Sequence, residues 1–598
     1  MRTILITFVL TFFVTASFGV PAKKSWQTYR QKDGTTIRLQ LTGDEYMHYF
    51  VTRDGLPVVT DDNGNYCYAH AGIGELTPTG ILAHEADIRT AAEREQLAAF
   101  DMQPASIRRI REASMLRLPR KVGERNGDYI GSKKGLVILV SFKDLDFVNE
   151  DSRQIFDEMA NKVGYREYGS VGSVHDYFYD QSYGQFDLTF DVVGPYKAPK
   201  DMGYYGENYR GSDRGDRVRE LIKFAMRSAD NDVNYKDYDW DDDSMVDQVY
   251  VIYAGYSESS AAPSNTIWPH ESMLGTAIRL DNVYLNTYAC SSELQGNEGE
   301  DIAGIGTMCH EFSHCLGLPD FYDTAGNTEG DKSQYGMNMW DLMSAGCYNG
   351  DERIPAAFTG YERVFCGWTD YRELTAPCRV TGLKPIAADG EVYKITNPGN
   401  RNEYYLLENR NGNTGWDRGF YPNNVGVRPA GLLITHVTYI ANRWYSNTVN
   451  ATGQAYQCMT VFHADNSDET TVNYDGVDYL DANEICNDLY PYRIGVKNTN
   501  SLSDTSIPVD TLYTRNTDGS YLMHTSVTNI QKRGIYVDFR FKGGTAEWEA
   551  VVAGITETTA DEQKVDEIYT VSGVAVGKDP AQLPKGLYIM KGKKYLRR

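Results

Sequence analysis

The residues best suited to do chemistry in this 598-residue chain lie in one short stretch, Cys309 to Asp320. It reads His-Glu-x-x-His followed by x-x-Gly-x-x-Asp. On a helix, His310 and His314 stand one turn apart and project from one face. Two imidazoles at that spacing can share a zinc ion, with Glu311 beside them as a general base. Gly317 suits a helix end that turns the chain, and Asp320 can then swing back as a third ligand. A later glutamate, Glu329 or Glu362, is the alternative third ligand. Three protein ligands leave one position for water, the mark of a catalytic zinc site. With ten histidines in the chain, chance produces His-Glu-x-x-His in about one such sequence in a hundred.

The chemistry that follows is peptide hydrolysis. Zinc lowers the pKa of its water to about 7 and polarises a carbonyl. Glu311 takes the proton and returns it to the leaving amine. About twenty residues on, Trp340 to Gly346 contains Met343 in a turn-like stretch. A Met beneath the zinc ligands is a feature of the metzincin clan, so Met343 is expected to shape the floor of the site without binding metal.

The elements that must position these groups can be read outward from the motif. Ile302, Ile305, Met308 and Phe312 recur at near-helical spacing and predict a buried helix. Gly135 to Phe142 is a continuous apolar run, expected as a buried central strand. Asp239, Asp241, Asp243 and Asp247 occupy positions 1, 3, 5 and 9 of a candidate calcium loop. Ser244 stands where an EF-hand has Gly, no Glu stands at position 12, and a strand at Val249–Tyr253 follows, so the loop is not an EF-hand. His175, His270, Trp268 and Tyr348 are the remaining polar candidates; Trp268 is expected near a substrate cleft and Tyr348 as an oxyanion donor. From about 380 to 545, short strands such as Glu403–Asn409 and Gly431–Val437 alternate with turn signals.

The ends speak of export. Residues 1–19 read as a secretory signal peptide, with a basic start and an apolar run too short to span a bilayer. Residues 20–125 read as an α+β propeptide, with strands at Thr36–Leu41 and Tyr46–Val51 and a helix at Ala86–Phe100. The propeptide ends in a basic segment, Arg108 to Arg125, suited to an activating protease. Cys67, within the propeptide, is either a thiolate that blocks the metal or a buried strand residue. The chain has nine cysteines in no zinc-finger pattern. A polar linker at 546–564 precedes two alternating, turn-bounded runs at 565–598. The formal charge of −23, from 59 basic and 82 acidic residues, argues against nucleic acid or an anionic membrane as partner.

The stretches His310 to Asp323, Trp340 to Gly346, Ser173 to Gln185, Ile267 to His270 and Gly431 to Val437 together resemble the immune inhibitor A family of secreted bacterial zinc metallopeptidases. The resemblance runs from about residue 30 to about 545. It implies zinc on His310, His314 and Asp320 and catalysis by Glu311. Residues 565–598 resemble the C-terminal sorting domain of a type IX secretion system, which implies the secretion machinery as a partner and an extracellular location, with attachment to the cell surface as an option.

The expectation is therefore an α+β protein. It has a zincin-type catalytic domain at 126–379, with a mixed sheet and an active-site helix, and a β-rich subdomain at 380–545. It is expected to be a zinc endopeptidase made as a zymogen and acting on extracellular proteins or peptides, with Ca2+ as a second metal. The contrasting expectation is a non-catalytic, calcium-dependent surface adhesin on a protease fold. Glu311 discriminates, because a binding module has no use for a base beside two ligands.

Overall fold

Helices and sheets are mixed in an α+β arrangement, as expected. A computed structural model describes residues 17–18, 20–23, 26–44, 47–61, 64–72, 76–103, 106–107, 110, 129–207, 215–325, 334–420, 428–468, 471–474, 477–480 and 482–548. It also describes strands at 568–570, 575–577, 586–590 and 593–597. The expected leader at 1–19, apart from Ser17–Phe18, lies outside the described residues. So do most of the basic segment and the linker at 546–564.

The run at 135–142 forms the later part of strand Gly131–Ser141, an interior strand of a six-stranded mixed sheet. Across this sheet the order is Ser17–Phe18, His270–Leu280, Val283–Ser292, Tyr250–Tyr253, Gly131–Ser141 and Phe186–Lys197. The last four run parallel, whereas His270–Leu280 is antiparallel to its neighbour. Side chains of Gly131–Ser141 alternate between faces. Val137 and Leu139 join one core, and Leu136, Ile138 and Val140 join the other. Helix Gly215–Ala229 covers the second face with Val218, Leu221, Ile222, Ala225, Met226 and Ala229, an amphipathic stripe at three- and four-residue steps. The first face holds the motif helix, Ile305–Cys315.

That first core does not stop at residue 379. It includes Met308, Phe312, Trp340 and Met343, and equally Leu406, Leu433, Trp444 and Met459. The β-rich part carries a five-stranded sheet, Arg372–Glu373, Tyr393–Thr396, Glu403–Asn411, Ala430–Thr438 and Met459–Val461, and a three-stranded one, Cys378–Leu383, Tyr536–Phe541 and Val527–Arg533. Its underside touches the motif region through Arg410. This buried guanidinium donates to Trp340 O at 2.7 Å and to Asp417 at 2.6 and 2.9 Å.

The N-terminal part is a six-stranded antiparallel meander between residues 26 and 82. Its helix is shorter than expected, Ala91–Leu97 rather than 86–100. Thr90 caps it by accepting from Glu93 N, so the helix begins only after that residue. The meander shares an apolar cluster with the segment that precedes the motif helix: Ile37, Leu39, Leu41 and Phe50 pack with Ala261 and Trp268. Seven of the nine cysteines are buried and the other two partly so. Residues 549–598 make a separate unit whose four described strands form an antiparallel sheet. Among the described residues, no helix is long and apolar enough to cross a membrane.

Two glycines let the motif helix seat against the loop that follows Met343. A Cβ on Gly306 would stand 1.9 Å from Cys347 O, and one on Gly304 would stand 2.3 Å from the Glu352 backbone. Backbone cannot yield as a side-chain tip can. Gly306→Ala is therefore expected to destabilise the protein by about 1–3 kcal/mol, measured as a lower thermal midpoint. An unchanged midpoint would contradict this account of the packing.

Candidate active site

Every residue from Ile305 to His314 is buried. A helix that places two histidines and a glutamate in such surroundings must satisfy each polar atom. Gly317 ends it with φ +93°, a left-handed conformation that glycine adopts without a Cβ clash. Gly317 N and Leu318 N donate back to His314 O and Ser313 O at 2.8 and 3.3 Å. The reversal brings Asp320 over the helix face that carries the histidines.

Both imidazoles are held from behind. His310 Nδ1 lies 2.8 Å from Leu342 O, and His314 Nδ1 lies 2.8 Å from Leu318 O. A carbonyl oxygen only accepts, so each Nδ1 carries the proton and each Nε2 presents a lone pair. The two Nε2 atoms are 3.2 Å apart. Asp320 Oδ1 stands 3.2 Å from one and 3.4 Å from the other, buried and with no hydrogen-bond partner. Three lone pairs thus face one another in a dry site, which is repulsive unless a cation lies among them. Their separations suit a tetrahedral ion with bonds of about 2.0–2.2 Å, whose edges are about 3.3–3.6 Å. Burial also holds the His314 pKa below its ordinary value, favouring the neutral form that ligates.

The turn around Met343 acts through its backbone. Asp341 Oδ1 accepts from Met343 N at 2.7 Å, Leu342 O takes His310, and Met343 O accepts from Phe321 N at 2.7 Å. One turn therefore orients a histidine and the segment just after Asp320, while the Met343 side chain lies fully buried below. Glu362 is elsewhere: it caps helix Gly360–Phe365 by accepting from Thr359 N. Glu329 lies outside the described residues.

Glu311 is fully buried, and burial followed by the charge of Asp320 pushes its pKa well above the usual carboxylate range. Its Oε1 accepts from Val20 N at 2.9 Å, and its Oε2 has no hydrogen-bond partner among the described residues. Val20 belongs to an extended segment. Ser17–Phe18 pairs antiparallel with His270–Leu280, Phe18 opposite Glu271. Trp268 Nε1 donates to Val20 O at 3.0 Å, Tyr348 Oη donates to Pro21 O at 2.6 Å, and Lys23 N donates to Ser259 O at 2.9 Å. Trp268 and Tyr348 thus grip the consecutive carbonyls of Val20 and Pro21, beside Glu311.

The other candidates separate clearly. His270 lies between Trp268 O at 2.7 Å and Tyr288 Oη at 3.0 Å, and burial lowers its pKa to about 4, so it pins the strand His270–Leu280 as a neutral ring. His175 is paired with Asp187 at 3.0 Å. Cys67 is buried in a strand of the meander, opposite Val59, not at the metal-type cluster. Asp239, Asp241 and Asp247 bring carboxylate oxygens within 4.8 Å of one another, but Asp243 does not join them. Asp243 instead accepts from Met245 N at 2.7 Å within the turn. Burial, with the neighbouring aspartates adding to it, pushes the Asp247 pKa up to about 7. The sequence reading missed Asn447, whose amide meets Asp320 from the β-rich part; nothing local in Ser446-Asn447-Thr448 signals it.

Residues 129–368 match the family model for the catalytic domain of the immune inhibitor A peptidases, M6. Over 288 residues, 41% of this chain, it is 25% identical to the pre-pro-metalloprotease PrtV of Vibrio cholerae, covering 30% of that protein. It is also 25% identical over 291 residues to immune inhibitor A of Bacillus thuringiensis subsp. alesti, covering 41% of each chain. The chain thus spans less than half the length of either relative.

Proposed function

We propose that this chain is an exported, zinc-dependent endopeptidase kept latent by its own N-terminal region. The observation that carries the reading is the meeting of three buried lone pairs beside a carboxylate that a backbone N–H already contacts. His310, His314 and Asp320 would hold the zinc. When bound, zinc supplies a Lewis acid that activates water and polarises a peptide carbonyl. Glu311 Oε2, free of other partners, takes a proton. Glu311 Oε1 faces the place where a leaving amine would be, now held by Val20 N, and can return the proton there. Trp268 Nε1 and Tyr348 Oη hold substrate carbonyls as they hold those of Val20 and Pro21, so the substrate is an extended stretch of protein or peptide beside His270–Leu280.

Latency follows from the same contacts. The segment Val20–Lys23, which follows the leader proposed at 1–19, takes the place a substrate would need, and the meander of residues 26–82 buries Trp268 against Phe50 and Leu41. Activation requires cutting after this region by another protease, for which the basic stretch 108–125 is the proposed site. The names of the relatives, a pre-pro-metalloprotease among them, support export and processing. Residues 565–598 are proposed to serve sorting. Asp239, Asp241 and Asp247 are proposed to take a calcium ion, without Asp243. The adhesin reading has no use for Glu311 in its buried position.

Glu311→Gln should retain about one zinc per chain while kcat on casein falls by about 10²–10⁴; full activity would sink the mechanism. Limited proteolysis within 108–125, followed by removal of the N-terminal fragment, should raise caseinolysis and shift Trp emission to the red as Trp268 gains water. Equal activity before and after would refute latency. Calcium should raise the thermal midpoint of the wild type but not of Asp247→Asn; no shift in the wild type would remove the calcium assignment.

A further inference from the structure

Asp320 can present Oδ1 to two imidazoles only if something else holds the rest of the residue. Its Oδ2 accepts from Asn447 Nδ2 at 2.5 Å, and its backbone N donates to Asn447 Oδ1 at 2.7 Å. One amide therefore closes a ring with Asp320, fixing both its backbone and the rotation of its carboxylate. Only an amide side chain offers an acceptor and a donor at this spacing, and the partners dictate which end is which. Asn447 is 2% exposed and Asp320 fully buried, so water does not substitute for either bond.

The amide is itself held. Asn447 has φ +52°, a left-handed conformation that Asn tolerates better than most residues. It follows the short helix Ala441–Tyr445, its N donates to Trp444 O at 3.2 Å, and its O accepts from Thr324 Oγ1 at 2.9 Å. The same loop grips the neighbours of Asp320. Asn450 Nδ2 donates to Phe321 O at 2.8 Å, while its Oδ1 anchors to Cys458 N and Met459 N at 3.0 and 2.9 Å. Thr452 N donates to Asp323 Oδ1 at 2.8 Å.

We infer that Asn447 is a positioning residue for the metal centre, and that the loop 447–452 of the β-rich part completes a site otherwise built from residues 310–343. Asn447 lies 127 residues from Asp320 and outside the stretch that matches the peptidase M6 catalytic domain. The inference rests on Asp320 being a zinc ligand. Without the Nδ2–H, Oδ2 is a buried carboxylate oxygen with one donor fewer, and the carboxylate is free to rotate away from the histidines.

The test uses the full chain loaded with zinc, its affinity read by chelator competition, with cobalt in place of zinc for an absorption spectrum of the ligand field. Asn447→Asp preserves shape but sets a carboxylate against Oδ2. It is expected to weaken zinc binding 10–100-fold and to alter the cobalt spectrum, with near-ultraviolet circular dichroism unchanged. Asn447→Gly, which removes the donor without adding charge and tolerates the left-handed backbone, should weaken binding in the same range. Asp320→Ala should lose more. Wild-type affinity and spectrum in either folded Asn447 variant, with binding lost in Asp320→Ala, would overturn the inference and leave the ligand assignment standing. Wild-type affinity in Asp320→Ala would overturn the ligand assignment instead. Loss of native circular dichroism in both Asn447 variants would also overturn the Asn447 inference, since the residue would then be needed for folding rather than for positioning.

Discussion

Two imidazole nitrogens and a carboxylate oxygen, each with a lone pair, are pressed within 3.4 Å of one another in a site sealed from water. Buried atoms of one polarity do not gather without compensation. Much of the surrounding structure serves to keep them gathered. The carbonyls of Leu342 and Leu318 set the tautomers, Gly317 reverses the chain, the Met343 turn holds Phe321 and Asn447 holds Asp320. The protein meets the cost of this cluster in advance, so that a cation finds a site already assembled.

Support for the cluster arrives from residues remote in sequence. The turn that orients His310 is itself carried by Arg410, whose guanidinium is buried between Trp340 O, Glu408 and Asp417. A buried charge with this many partners is costly to disturb, because removing one partner strands the others. The indole of Trp340 stacks on Phe420 at 4.4 Å and donates to Asp488. Catalytic and β-rich segments thus share a single apolar core and a continuous polar network, and the metal-type cluster sits where they meet.

The local parts of this arrangement were legible in the residues. His310, Glu311 and His314 declare themselves by helical spacing, Gly317 by its place after the periodic stretch, and the strand at 135–142 by its unbroken apolar run. Legibility ended where a partner was distant or a geometry was three-dimensional. Asn447 looks like any turn asparagine until the fold carries it to Asp320. Asp243 fits the spacing of a cation loop, yet its carboxylate is spent on Met245 N. The N-terminal helix Ala91–Leu97 begins late because Thr90, unremarkable in composition, caps it. Nothing in Val20-Pro21-Ala22 as residues announces that their backbone lies against Glu311.

That last contact has a consequence for how release proceeds. A segment joined to the chain it blocks acts at an effective concentration set by the tether, and cutting the tether leaves every contact of Val20, Pro21 and Lys23 in place. On this reading a nick alone converts an intramolecular inhibitor into a separate molecule still bound in the cleft. Activity would then appear with dilution or with destruction of the fragment, so that nicked enzyme would remain quiet while concentrated and awaken as it disperses.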